Sequence, residues 1–196
     1  MGYRSGDTYV GNVGNPYGSN IIEVSASDAS SYKYVVRFQN RNANDWSVII
    51  WNKHGPDGKM DGWYGKGCKR LTIRKGLNKY VAFGENSQGG WTAAQGSIPT
   101  DREGGFASTW GEFDSGSTIN EGWSGFDVSA IQAQNAGYTV QGMKICDALG
   151  LVCSSITADA ANVENAYVNS LKDDGGIGVK LRPGAVRLSV SIGFDV

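Results

Sequence analysis

The sequence predicts an all-β fold, a β-sandwich with one α-helix near the C-terminus, on three observations. Glycine supplies 29 of the 196 residues, about twice its usual share. Valine, isoleucine and aromatic residues gather in short runs, among them 6 Trp, 9 Tyr and 6 Phe, which suits many brief strands. Glycine, asparagine and proline separate these runs and mark tight turns. A chain of this length has enough core for one domain, taken as residues 1–196.

In chain order, Tyr32 to Gln39 is dense in Tyr, Val and Phe, as a strand should be. Trp46 to Trp51 is a nearly unbroken apolar run and reads as a strand buried on both faces. Leu71 to Arg74 and Lys79 to Phe83 flank Lys75-Gly76-Leu77-Asn78, which predicts a hairpin. Residues 84 to 106 carry Gly84, Gly89-Gly90, Gly96, Pro99 and Gly104-Gly105, and read as a long loop. Strand-like segments return at Ser108 to Phe113, Phe126 to Ile131, Thr139 to Ile145 and Ala185 to Phe194. Val163, Ala166, Tyr167 and Leu171 recur at helical spacing after Thr157 or Asp159, which predicts a helix closed by Asp173-Asp174-Gly175-Gly176.

Charge and composition exclude several classes. The formal net charge is −1, so a broad phosphate-binding surface and a nucleic-acid partner are not expected. The longest apolar runs fall far short of a bilayer, so no membrane partner is expected either. Met1-Gly2-Tyr3-Arg4 is polar and reads as an added start on a trimmed mature domain. The sole histidine, His54, reads as a turn or surface residue, and no Gly-x-Ser-x-Gly elbow accompanies it. Phosphate loops are missing, two cysteines and a histidine at unrelated spacing make no zinc set, and no cofactor or metal is expected. Asp57 to Gly62 lacks the later glutamate of an EF-hand and reads as a plain turn. Cys146 and Cys153 enclose six residues with a glycine; a local disulfide is favoured over free thiols if the protein is secreted. Cys68 is left over.

Gly11-Asn12-Val13-Gly14-Asn15-Pro16-Tyr17-Gly18, Lys79-Tyr80-Val81-Ala82-Phe83 with Glu85-Asn86-Ser87-Gln88-Gly89, and Thr109-Trp110-Gly111-Glu112-Phe113-Asp114 are collinear with a known pattern. So are Gly122-Trp123-Ser124-Gly125 and Gln141-Gly142-Met143-Lys144-Ile145-Cys146. Over roughly residues 8 to 192 the chain resembles the allergen-four family of Aspergillus. The resemblance implies a secreted, extracellular or wall-associated fungal protein with host IgE as a partner. Ser108 stands where that family usually carries a cysteine, so a second, longer-range disulfide is not implied.

Trp110-Gly111-Glu112-Phe113, then Phe126-Asp127-Val128-Ser129, is also similar to a stretch of thaumatin-like proteins. That similarity implies a thaumatin-like sandwich whose acidic cleft is associated with β-glucan binding, with Glu112 and Asp127 at matching positions. The next cleft aspartate falls on Gln132, and the cleft arginine near Glu85.

Read from the residues, Glu85, Glu112, Asp114 and Asp127 form one cleft if their strands are neighbours, and Glu112 and Asp114 share a strand face. Trp63, Tyr64, Trp91 and Trp123 lie in glycine-rich contexts and are the candidates for stacking on sugar rings. The expected function is a monomeric, non-catalytic binder of β-glucan or another cell-wall glycan. The alternatives are a weak glucanase using paired carboxylates, and a host-directed effector or toxin.

Overall fold

The computed structural model describes residues 9–195, so the polar start at 1–4 lies outside the described residues. Among the described residues, thirteen strands form two sheets packed face to face. The seven-stranded sheet runs in the order β1 (Ile21–Val24), β5 (Asn78–Phe83), β2 (Tyr34–Gln39), β13 (Val186–Ile192), β9 (Met143–Asp147), β10 (Cys153–Ile156) and β11 (Val163–Glu164). The six-stranded sheet runs β12 (Val179–Leu181), β8 (Trp123–Ser129), β7 (Trp110–Ser117), β6 (Ser87–Gln95), β3 (Trp46–Asn52) and β4 (Lys69–Ile73). Neighbours pair antiparallel, except that β13 runs parallel to β2 from Val186↔Tyr34 to Ser191↔Gln39. The predicted mainly β sandwich is the fold.

Strand periodicity explains the core. Val36, Phe38, Val81, Phe83, Ile145 and Val190 face inward from one sheet, and Val48, Ile50, Trp91, Phe113, Phe126 and Val128 from the other. Trp91 sits at the centre, its ring 5.7 Å from Phe113 and 5.3 Å from Phe38. A second apolar cluster covers the outer face of the six-stranded sheet, where Ile49 and Trp51 meet Phe106 and Trp110, with Trp63 and Ile98 packed on them. This outer cluster explains why β3 is apolar on both sides.

Three expectations are corrected. Residues 159–171 form no α-helix: short 3-10 turns at Ala158–Ala160 and Asn169–Leu171 flank the brief β11. Asp159, Ala160 and Asn165 adopt left-handed φ of 55°, 55° and 46°, which breaks a right-handed helix. Ladder partners prevail over local spacing, with Val163 paired to Ile156 and Tyr167 bridging Ser129. Among the described residues the one α-helix is α1 (Ile131–Asn135), directly after β8, where strand had been expected to reach Ile131.

The second correction concerns residues 84–106. Their first half is β6, nine residues long and buried until its last. Gly89 there is not a turn signal; a Cβ would lie 2.0 Å from the Trp51 carbonyl oxygen, so glycine permits the close approach of β3.

The third is His54, which is buried rather than on the surface. Cys146 and Cys153, directly opposed in the β9–β10 pair, form the disulfide, and Cys68 is a half-buried free thiol. No helix of the described residues is long and apolar enough to cross a membrane.

Candidate functional site

The outer face of the six-stranded sheet carries the site, and alternation along β7 puts it there. Phe113 points into the core and the missing Cβ of Gly111 makes room for Trp91, so Trp110, Glu112 and Asp114 point outward. On β8, Phe126 and Val128 are core, so Asp127 shares the outward face. Register then brings the acids together: Glu112 is directly opposite Asp127 on one side and Gly90 on the other, while Asp114 opposes Gly125 and Gln88. Opposed Cβ atoms in such a pair lie about 4.5–5.5 Å apart.

The acids sit in different surroundings. Asp127 is 2% exposed. Gly178 lies against it, with an ideal Cβ position only 3.0 Å from the Asp127 Cβ. Among the described residues its Oδ1 has no hydrogen-bond partner. Burial, and then the facing Glu112 carboxylate, push the Asp127 carboxyl well above the usual range. Glu112 keeps part of its surface open to solvent, and the surrounding protein raises its carboxyl as well. Burial lifts Asp114 to about 6, against the pull of Ser117, Lys53 and Gln88. Tyr167 borders the group; burial and the Asp127 charge raise its phenol, which donates to the Ile177 carbonyl. Among the described residues, no three acidic, histidine or cysteine side chains come close enough to hold a metal ion.

Glu85 does not join them. It is exposed in the β5–β6 turn, where Lys33 and the Tyr34 hydroxyl bind its carboxylate and hold it below the usual range. Asp57 and Asp61, in the segment read as a plain turn, are bridged by Lys66 at 3.2 and 2.6 Å, so a lysine ammonium neutralises them.

The aromatic candidates divide. Trp91 is 0% exposed and cannot stack on a ligand. Trp63 is half-buried, its ring 5.9 Å from Trp110 and 5.3 Å from the exposed Tyr64. Because Trp110 precedes Glu112 by two positions, this ledge adjoins the acids at about 7 Å along the strand. Trp123, half-buried, shares the face of β8 with Asp127, four positions away, or about 13 Å.

Beyond the Trp110 end opens a cleft of about 640 Å³ lined by Tyr64, Asp101, Arg102, Gln132 and Tyr138. Gln132 reaches it because β8 turns into α1 there. Asp101, Arg102 and Tyr138 were missed by sequence reasoning, since their loops are distant in the chain and meet in space, where the Tyr138 hydroxyl donates to the Thr100 carbonyl.

The family model described as Allergen Asp f 4-like domain matches residues 19–192. The curated Allergen Asp f 4 of Aspergillus fumigatus is 52% identical over 191 residues, covering 97% of this chain and 59% of the relative. The chain therefore spans about three-fifths of that relative's length. Among solved structures, the protein elicitor MoHrip2 from Magnaporthe oryzae is similar at a TM-score of 0.49 and 9% identity, over 82% of this chain and 99% of that one.

Proposed function

The chain belongs to the Allergen Asp f 4-like domain family, and from that premise we propose that it is a secreted, non-catalytic glycan binder of the fungal exterior and an allergen where host IgE meets it. The name of the relative, Allergen Asp f 4, supports the allergen character. One observation carries the glycan reading: a single sheet face joins an aromatic ledge to three carboxyl groups. Sugar rings stack on aromatic faces while carboxyl groups take their hydroxyls. From Trp110 to Trp123 the face extends about 20 Å along the strands, enough for an extended ligand.

Binding is favoured over hydrolysis for a physical reason. A glycosidase splits its pair into one charged carboxylate and one protonated acid. Here Asp127 is 2% exposed behind its direct neighbour Glu112, so a glycosidic bond cannot lie between the two carboxyl groups.

The test is retention on insoluble β-1,3-glucan and titration with its soluble hexamer. Replacing Trp63 and Tyr64 together by alanine should weaken binding at least tenfold with the fold intact by circular dichroism. Failure to bind any member of a glycan array sinks the reading. Recovery of the protein from culture fluid and wall extracts, against its absence from both, tests its location.

A further inference from the structure

The acidic face has one property that a neutral sugar does not satisfy. Asp127 is 2% exposed, and its Oδ1 is buried without a hydrogen-bond partner among the described residues. Its opposite neighbour is a second carboxyl group, Glu112. Among the described residues no lysine or arginine forms an ion pair with either, although Lys33, Lys59, Lys66 and Lys79 all neutralise acids elsewhere. An isolated buried carboxylate is costly unless paired. Sugar hydroxyls donate hydrogen bonds to such a group but bring no charge.

Resting on the glycan-binding reading above, we infer that the Glu112–Asp127 pair takes a protonated amine, so that the preferred ligand is an amino-sugar oligomer of the glucosamine type. An ammonium placed against Glu112, the member of the pair that keeps surface open to solvent, brings three donors and a positive charge to the pair, with Asp127 directly beside it on β8. Asp114, two positions from Glu112 on the same face, lies about 7 Å further along and offers a second acid to a chain bearing repeated amines. Trp63 and Tyr64 adjoin the acids and hold the rings. Acetylating the amine removes the cation and adds bulk, so the acetylated oligomer loses this contact.

Calorimetric titration at pH 6 in 100 mM salt compares three probes: a β-1,4-linked glucosamine hexamer, its N-acetylated counterpart, and the β-1,3-glucan hexamer. The glucosamine hexamer should bind at least tenfold more tightly than either neutral oligomer. Glu112→Gln and Asp127→Asn should each erase that preference, bringing the glucosamine hexamer within twofold of the neutral oligomers measured on the same variant. The exposed Asp28→Asn, on the other sheet's side, should change nothing. Equal affinity for charged and neutral hexamers overturns the inference and leaves the glycan reading standing. A preference that survives both Glu112→Gln and Asp127→Asn also overturns it, marking general attraction to a polycation. Loss of all three ligands by the unmodified protein defeats the glycan reading itself.

Discussion

Asp127 illustrates how a single residue can sit against the stability of the fold that holds it. Its carboxyl is raised in the folded chain by burial and by Glu112, and Asp114 is raised to about 6 from an ordinary 3.8. The folded state thus binds these protons more tightly than the unfolded one. Their stabilising contribution is complete below the ordinary carboxylate value and is lost as pH rises through the raised values, about 6 for Asp114. Asp127→Asn should therefore raise stability by about 1–2 kcal/mol at pH 7. The gain should shrink toward nothing near pH 4, as read by urea unfolding followed through tryptophan fluorescence. An equal gain at both pH values, or a loss at pH 7, would show that the buried charge is not the cause. That Glu112 and Asp114 share one strand face was legible from their spacing of two. Their meeting with Asp127 was not, because the β7–β8 register is a long-range choice. Glu85 was misplaced for the same reason: Lys33 and Tyr34, distant in sequence, claim its carboxylate.

Elements with dense apolar runs could be read directly, as β2, β3, β5 and β13 show, since their inward residues recur at the strand period. Strand β6 could not. Its Gly89-Gly90 pair looks like a turn, yet it lets β3 and the Trp51 ring lie against the strand, and Trp91 beside it faces inward, where Gly111 leaves room for its ring. Gly89→Ala should cost more than about 2 kcal/mol, because the new methyl meets backbone that cannot turn away. A variant within 0.5 kcal/mol of the parent in chemical unfolding would refute this account of the strand. The segment 159–171 fails in the opposite sense. Its apolar spacing of three and four is helical, but Tyr167 gains more from bridging Ser129 beneath α1 than a short solvent-exposed helix could return.

At the scale of the molecule, composition sufficed for the class of fold, while the division of strands between sheets needed the structure. Sequence neighbours β5 and β6 lie in different sheets, as do β8 and β9. The paired faces also separate chemistry. The inner faces hold the shared core, and one outer face holds the acids and the aromatic ledge. The parallel strand β13 sits between β2 and β9, joining a segment from the first quarter of the sequence to one from the third. Until it arrives, both neighbours present an open edge, and strands with open edges invite association with other chains. On a ribosome the sheet therefore cannot close until residues 186–192 have emerged, and a chain interrupted before them leaves β2 unpaired with β13. Closure of this sheet waits on the last of its own strands to be made, which gives chaperones a defined interval in which to act.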